Sequence, residues 1–379
     1  MCIEFLIEFD GHSISFGHLY FLLGDRKAMT AMNCVAIRQN WLLVCLGVSA
    51  ILFSSGCARS STGTLVNNAD LESPLESTGL PRDWSLDVAA GEYRVAVSQT
   101  AHSGKSALVL AGSGGSAEVE TNSFQVPGGS VLECELWLGG EWPKLGQPTA
   151  YLKFADEERP GATPCLVKID GKSRDWQRVH FYCRTSQQTS PLSATLAIRL
   201  SGEGLIRLDD LSVKVVPPSQ IESLIEDHGF EHPNEQGAFP EWDSMADSSD
   251  HSFVQEKTSP YAGKACVRMR GSGGWSVMTS HRAIQPTGSR ICAQGAVRAR
   301  EGKGGLKIDY LKNGNCFAST ISPEIRADEW SYVTVDGDLE LASQSDEIHI
   351  TLGVSNPEGQ YDVCFDEIDV FMIKEAVVK

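Results

Sequence analysis

Residues 65–72 read Leu65-Val66-Asn67-Asn68-Ala69-Asp70-Leu71-Glu72, and residues 224–231 repeat them 159 positions later as Leu224-Ile225-Glu226-Asp227-His228-Gly229-Phe230-Glu231. The turn His102-Ser103-Gly104-Lys105-Ser106 recurs at the same offset as Tyr261-Ala262-Gly263-Lys264-Ala265, and Leu208-Asp209-Asp210-Leu211 recurs as Phe365-Asp366-Glu367-Ile368. Self-similarity at a fixed spacing is typical of duplicated units. The sequence therefore predicts two copies of one domain of about 150 residues each.

The dominant hydrophobic period within each copy is two residues. Residues 194–200 and 346–352 alternate between apolar and polar side chains, and glycine-rich turns such as Gly112-Ser113-Gly114-Gly115 separate such runs. Short alternating runs bounded by turns indicate half-buried antiparallel strands. The pattern predicts an all-β chain in which each copy is an antiparallel β-sandwich or jelly roll of roughly eight strands.

Composition shifts give the predicted domain boundaries. Residues 1–56 hold an N-terminal extension and a signal peptide, residues 57–64 a small polar tether, residues 65–216 the first sandwich, residues 217–220 a linker, and residues 221–376 the second sandwich. Because Pro217 and Pro218 cannot continue a β-ladder, we expect the linker to be short and semi-rigid.

An export signal precedes the repeats. Arg38 is followed by the apolar run 41–53 and then by Ser54-Ser55-Gly56-Cys57. This run is shorter than the roughly 20 residues that a membrane-spanning helix needs, and its order of charge, apolar core and small residues is that of a secretory signal. An export signal starts close to its charged residue, so translation is predicted to begin at Met29 or Met32.

The small residues before Cys57 resemble the lipobox of bacterial lipoproteins, which implies lipidation of Cys57 and a membrane anchor. The lipobox departs from its usual form at Ser54, where leucine is preferred. Cleavage by the ordinary signal peptidase stays open as the alternative. The predicted location is the outer membrane or cell surface if Cys57 is lipidated, and the periplasm or the exterior as a soluble protein if it is not.

Charge and cysteine usage restrict the partners and the chemistry. The net charge is −17 and the basic residues form no run, which argues against nucleic acid as a partner and against electrostatic binding to anionic lipid. Only Cys134 and Cys292 occupy equivalent positions among the 11 cysteines. Buried free thiols are predicted for most of the cysteines after Cys57, with one disulfide in the second copy left open. The sequence lacks nucleophile-elbow, zinc-protease and phosphate-loop motifs, so no enzyme activity is predicted.

The recurring residues follow one order in both copies. Each copy has an opening glutamate, a Pro…Trp pair, the Gly-Lys turn, a late tryptophan and a closing aspartate; these are Glu72, Pro81, Trp84, Trp176 and Asp209 in the first copy, and Glu231, Pro240, Trp242, Trp330 and Asp366 in the second. This order resembles the carbohydrate-binding modules of the family 4/9/22 type, which are jelly rolls of the galactose-binding-domain-like group. The first copy departs from the pattern with Asp70-Leu71-Glu72 in place of Gly-Phe-Glu.

The resemblance implies one structural calcium ion in each domain. Glu72 with Asp209, and Glu231 with Asp366, would hold the two ions, helped by backbone carbonyls of the Gly-Lys turn. Calcium prefers six to eight oxygen ligands that include carboxylates. The alternative is that these carboxylates are solvated edge groups or acceptors for turn amides.

Candidate sugar contacts come from aromatic residues that do not recur. Trp84/Trp242 and Trp176/Trp330 recur, so they are predicted to pack in the core or to anchor loops. A pyranose stacks on exposed aromatic faces surrounded by polar groups. The aromatics without a counterpart are Trp137, Trp142, Tyr151, Trp275 and Tyr310. Trp137 shares its strand face with Glu133 and Glu135, and ordinary packing is the alternative for all five.

The sequence favours a non-catalytic, envelope-anchored lipoprotein whose two modules bind a polysaccharide or glycan with avidity. One alternative is a structural or protein-interaction lipoprotein whose sandwiches do not bind sugar, because fold does not determine function. Another is an accessory subunit of a polysaccharide-degrading complex. Exposure of the unmatched aromatics discriminates between sugar binding and the structural role.

Overall fold

A computed structural model describes residues 5–9, 12–16, 64–67, 69–72, 79–82, 84–142, 148–155, 165–169, 175–185, 191–225, 230–247, 250–281, 283–285 and 289–374. The chain divides into two compact units, Met1–Ser61 and Thr62–Lys379. The first unit contains an antiparallel hairpin of strands β1 (Phe5–Phe9) and β2 (His12–Phe16). Cys57, the apolar run 41–53 and the candidate starts Met29 and Met32 lie outside the described residues.

The second unit begins with a sandwich whose two antiparallel sheets share two long strands. Its strands are β3 (Ser85–Ser98), β4 (Ala107–Glu120), β5 (Phe124–Val126), β6 (Val131–Glu141), β7 (Thr149–Ala155), β8 (Cys165–Lys168), β9 (Gln177–Arg184), β10 (Leu192–Ser201) and β11 (Gly204–Val215). The strands β3 and β4 pair along their whole length, and residues 116–120 of β4 pair with β10 whereas residues 108–112 pair with β11. The front sheet therefore has the order β3-β4-β10-β7-β8, with β5 beside β10, and the back sheet has the order β3-β4-β11-β6-β9.

The second sandwich repeats this arrangement with separate strands in each sheet. Its strands are β12 (Ile221–Ser223), β13 (Trp242–Ala246), β14 (Ser252–Glu256), β15 (Cys266–Ser272), β16 (Trp275–Ser280), β17 (Arg290–Glu301), β18 (Lys303–Lys312), β19 (Asn315–Ile321), β20 (Ser331–Asp336), β21 (Glu347–Ser355) and β22 (Gln360–Ile373). The front sheet has the order β13-β16-β21-β18-β19, and the back sheet has the order β14-β15-β22-β17-β20, with β12 beside β22. The prediction of an all-β chain of antiparallel sandwiches is confirmed.

Alternate side chains of the two sheets fill the core of each sandwich. One buried apolar cluster runs from Val66 to Val213 and a second from Leu224 to Met372. Trp84 and Trp242 belong to these clusters, in agreement with their predicted role in the scaffold. A short helix, α1 (Leu339–Gln344), was not expected; it begins where the Asp338 carboxylate accepts hydrogen bonds from the N–H groups of two following residues.

The two sandwiches meet through buried polar and apolar contacts. The Arg184 guanidinium, at the end of β9, lies 2.9 Å from an Asp369 carboxylate oxygen on β22, and both side chains are at least nine-tenths buried. The Gln294 amide accepts a hydrogen bond from the N–H of Arg184 at 2.8 Å and donates one to its carbonyl at 3.1 Å. A third apolar cluster joins Tyr182 to Phe371, and β8 pairs in parallel with β20. None of these contacts follows from the repeat itself.

Cysteine placement agrees with the prediction of buried thiols. Cys134, Cys183, Cys266, Cys292 and Cys364 are buried and reduced, whereas Cys316 is exposed on β19. Burial raises the pKa of the Cys134 and Cys292 thiols well above the usual value. In the part of the chain that the structure describes, no helix is long and apolar enough to cross a bilayer.

Candidate functional site

The four carboxylates that the sequence proposed as calcium ligands lie against the Gly-Lys turns. Glu72 Oε1 accepts hydrogen bonds from the N–H groups of Lys105 and Ser106 at 2.6 and 2.9 Å. Asp209 Oδ2 accepts from the N–H groups of His102 and Ser103 at 2.7 and 3.1 Å. Each predicted pair therefore converges on one turn, from its two sides.

The second copy repeats this geometry. Glu231 Oε1 accepts from the N–H groups of Lys264 and Ala265 at 2.7 and 3.3 Å, and Asp366 Oδ2 accepts from the N–H groups of Tyr261 and Ala262 at 2.7 and 3.0 Å. We call each arrangement a turn clamp: Glu72 and Asp209 around residues 102–106, and Glu231 and Asp366 around residues 261–265.

Unusual backbone angles position both clamps. The residue before each glutamate has a positive φ, 57° at Leu71 and 55° at Phe230, and so has the residue after each aspartate, 48° at Asp210 and 51° at Glu367. A positive φ is uncommon outside glycine and is retained where the surroundings enforce it. A positive φ at the same two positions in both copies indicates that the two sandwiches share the clamp geometry.

The oxygen atoms available at each turn clamp determine whether it could bind calcium. Burial raises the pKa of Asp209, and it raises the pKa of Asp366 to about 7 despite the amide hydrogen bonds. A cation would relieve this cost. Among the residues that the structure describes, no group of three or more His, Cys, Asp or Glu side chains could hold a metal ion. Two carboxylates per turn fit calcium only together with backbone carbonyl oxygens, so calcium stays a prediction.

Three of the five candidate aromatics are buried. Tyr310 lies in the second core, where its hydroxyl accepts a hydrogen bond from the N–H of Asp338 at 2.6 Å. Trp142 lies in the first core, and Tyr151 has no exposed surface. These rings cannot stack on a sugar, which corrects the prediction for all three. Strand parity would have placed Tyr310 correctly, because it shares the inward side of β18 with Leu306 and Ile308.

Trp137 and Trp275 keep exposed surface. Trp137 is half-buried on the outer side of β6, the side that also carries Glu133 and Glu135, as its alternation predicted. The His102 ring stacks on it with a centroid distance of 3.7 Å, so one face of the indole is already covered. Trp275 begins β16 and is 38% exposed. Trp275 is therefore the candidate with the most accessible ring.

Trp275 borders a glycine floor on the front face of the second sandwich. Gly305 of β18 and Gly353 of β21 are direct partners in the sheet, and Gly353 pairs on its other side with Val277 of β16. A cavity of about 100 Å³ opens over them, and Trp275, Val277, Lys303, Lys307, Ile321 and Glu324 line it. Neither glycine stands out in the sequence, because the two become neighbours only through strand register. We call this surface the Trp275 face.

The equivalent surface of the first sandwich is filled. Val277 pairs with Gly353, and at the repeat offset of 159 its counterpart Glu118 pairs with Arg199. Arg199 therefore takes the place of Gly353, and its guanidinium lies 2.9 Å from Glu118. It also lies 5.2 Å from the ring centre of Tyr151. An ionic network thus replaces the glycine floor in the first copy.

Lys153 completes this network. Its ammonium group contacts the carboxylates of both Glu118 and Glu120, which project from the same side of β4. Proximity of Lys153 opposes the desolvation of Glu120 and lowers its pKa. Arg199 and Lys153 are therefore both paired with carboxylates of β4 on the first front face.

A larger cavity, of about 900 Å³, lies at one end of the first sandwich. Gly112, Gly140, Trp142, Glu203 and Arg207 are among its lining residues. Trp142 is only 6% exposed, which leaves too little ring surface for a sugar to stack on. The smaller cavity beside the exposed Trp275 therefore has the better chemistry for a ligand.

Comparison with known proteins gives similar structures only. No family model matches the chain, and no curated protein matches it. One similar structure is the tandem CBM22-1–CBM22-2 domain of Paenibacillus barcinonensis Xyn10C, with 12% identity and a TM-score of 0.31 over 83% of this chain and 99% of that one. Another is TmCBM61 in complex with β-1,4-galactotriose, with 18% identity and a TM-score of 0.29 over 41% and 100%.

A third similar structure is the C-terminal family 22 carbohydrate-binding module of Clostridium thermocellum Xyn10B, with 13% identity and a TM-score of 0.28 over 41% of this chain and 95% of that one. All three TM-scores are below 0.5 and all three identities are below 25%. Similarity of this degree does not determine what the present chain binds, and the assignment of function rests on the two front faces.

Proposed function

We propose that this chain is a non-catalytic polysaccharide-binding protein and that the Trp275 face of the second sandwich is its binding surface. The observation that carries the proposal is the exposed Trp275 ring beside the Gly305–Gly353 floor. An indole presents a flat apolar surface to the apolar side of a pyranose. The two glycines add no side chains to this face, and the Lys307 side chain lies over Gly353, so a sugar beside Trp275 would also contact Lys307.

The first sandwich has a supporting role in this proposal. Its front face is occupied by Arg199, Lys153 and their carboxylate partners, and its buried contact with the second sandwich supports the Trp275 face from behind. The structural alternative that the sequence left open therefore applies best to the first copy. One binding copy also makes avidity between two sites unnecessary.

Calcium at the turn clamps and a lipid anchor at Cys57 belong to the same proposal. A calcium ion at each clamp would compensate the buried aspartate and fasten the first and last strands of a sandwich. Lipidation of Cys57 would hold the binding face at the outer membrane or cell surface. A role as accessory subunit of a polysaccharide-degrading complex is compatible with the same surface.

A glycan array with the full chain tests the proposal. We expect binding to at least one polysaccharide and its loss in Trp275→Ala, because the stacking platform is removed. Trp137→Ala is the matched control, since it removes the same side chain from a partly covered position on the first sandwich. Circular dichroism of each variant checks folding. Loss of binding in Trp137→Ala with retention in Trp275→Ala would move the site to the first sandwich, and absence of all binding would favour the structural role.

A further inference from the structure

The Trp275 face contains a cation directly above its glycine floor. The position that a Cβ of Gly353 would take is 3.0 Å from Cε of Lys307 and 3.5 Å from its Nζ. The Lys307 side chain therefore lies along the floor, in the cavity that Trp275 also lines. In the first sandwich the corresponding partner in the sheet register is Tyr151. A lysine at this register position is thus particular to the second copy, and the cations on the first front face, Lys153 and Arg199, are already paired with carboxylates.

Neighbouring acidic groups already have other partners. Glu324 lies 2.6 Å from Lys303 and 3.6 Å from Arg326. Asp309, two residues after Lys307, accepts hydrogen bonds from Ser319 at 2.5 Å and Thr351 at 2.6 Å. Within the described part of the chain, Lys307 makes no ion pair. The half-buried Lys307 side chain therefore brings to the cavity a positive charge that has no anionic partner among the described residues.

We infer that the Trp275 face recognises an acidic sugar unit, with the anionic group of the sugar paired to Lys307. A lysine ammonium is a compact point charge that binds carboxylate and sulfate oxygens without a fixed fork geometry. Trp275 would contact the apolar side of the ring while Lys307 pairs with a charge on its edge. This inference rests on the proposed function, because it names the class of polysaccharide that the same face binds.

The ion pair supplies specificity as well as affinity. A neutral sugar in the cavity leaves the ammonium partly desolvated and unpaired, whereas an acidic sugar satisfies it. We expect an acidic oligosaccharide to bind about tenfold more tightly than its neutral counterpart, which corresponds to about 1.4 kcal/mol. Because the pair is partly open to solvent, the preference should weaken as salt is added.

Calorimetric titration of the full chain with matched oligosaccharides tests this inference. The probes are oligogalacturonate and its methyl ester, which differ in charge but share the ring, together with oligosaccharides of carrageenan and of desulfated carrageenan. Lys307→Gln should abolish the preference for the acidic member of a pair. Lys312→Gln is the matched control, since it removes the same charge from an exposed position at the end of β18 and should leave the preference unchanged.

The outcomes separate this inference from the proposed function. A preference for oligogalacturonate assigns a carboxylate as the anion, and a preference for carrageenan assigns a sulfate; either supports the inference if Lys307→Gln removes it. Equal binding of charged and neutral probes, with loss in Trp275→Ala, overturns the anion inference and leaves sugar binding standing. A preference that survives Lys307→Gln overturns it as well. No binding of any probe or array polysaccharide overturns both proposals.

Discussion

Asp336 lies at the contact between the two sandwiches, and its replacement by asparagine should change how stability depends on pH. Its carboxylate accepts hydrogen bonds from the N–H of Tyr182, across the contact, at 3.1 and 3.4 Å. Burial raises the pKa of Asp336 to about 6, against the opposing effects of His180 and Arg290, the Tyr182 hydrogen bond and a hydrogen bond from the Cys292 thiol. The folded chain therefore holds this proton more tightly than the unfolded chain, where the pKa is about 4.

Proton linkage determines the direction and the magnitude of the change in unfolding free energy that Asp336 causes as pH rises. Between pH 4 and pH 6 the folded state binds more protons, so the free energy of unfolding falls as pH rises. A shift of about two units corresponds to about 3 kcal/mol, and solvent contact of the half-buried carboxyl reduces this to about 1–3 kcal/mol. The contribution of Asp336 is thus fully present below pH 4 and lost above pH 6. Asp336→Asn cannot ionise and should escape this loss.

Urea unfolding of wild type and Asp336→Asn at pH 4.5 and pH 8 measures the effect. We expect the stability of the variant relative to wild type to rise by about 1–2 kcal/mol between these pH values, because about two thirds of the full effect is present at pH 4.5. Asp328→Asn is the control, because the Asp328 side chain is 65% exposed and its replacement should change the difference by less than about 0.5 kcal/mol. A constant difference for Asp336→Asn, or a change in the opposite direction, would refute a raised pKa at this contact.

Three further changes test the scaffold. Arg184→Met should destabilise the chain by about 3–5 kcal/mol, because it leaves the Asp369 carboxylate buried without its cation. Urea unfolding of the double variant Arg184→Met/Asp369→Leu should show that most of this loss is recovered. Additive losses of stability in the double variant would contradict the pairing. Gly263→Ala should lower stability by about 1–3 kcal/mol, since φ is +59° and the new methyl group would meet the Glu231 carboxylate. Gly237→Ala is the control, because Gly237 also has a positive φ but no atom lies close to the new methyl group, so it should lower stability less in the same unfolding assay. EGTA should lower the melting temperature by several degrees and calcium should restore it, whereas an unchanged melting temperature would refute calcium at the turn clamps.

The repeat and its local patterns were sufficient to predict the scaffold. Comparing the copies identified the matched carboxylates, the resemblance to carbohydrate-binding modules implied that Glu72 pairs with Asp209 and Glu231 with Asp366, and alternation placed Trp137 on the outer side of β6. The matched positions and the strand period can both be read from a single sequence. The short helix α1 was missed because six residues are too few for a helical period to stand out.

The candidate site could not be predicted from the sequence, because strand register brings its residues together from distant positions. Gly305 and Gly353 are 48 positions apart and become neighbours only through strand register, and the same register puts Arg199 in the place of Gly353. Tyr151 was a candidate because it lacks an aromatic counterpart, but Arg199 and Lys153 lie over its ring. An aromatic residue without a counterpart therefore indicates that the two copies differ, but it does not show which copy has an accessible front face.

We propose that polysaccharide binds at the glycine floor beside Trp275, where the Lys307 side chain lies over Gly353. Gly353→Arg tests it most directly, because it places on the second sandwich the side chain that fills the same position of the first. Calorimetric titration with the strongest ligand from the array should show at least about tenfold weaker binding for Gly353→Arg than for wild type, and circular dichroism checks that the variant is folded. Binding of Gly353→Arg equal to that of wild type, or absence of polysaccharide binding by the wild-type chain, would contradict the account.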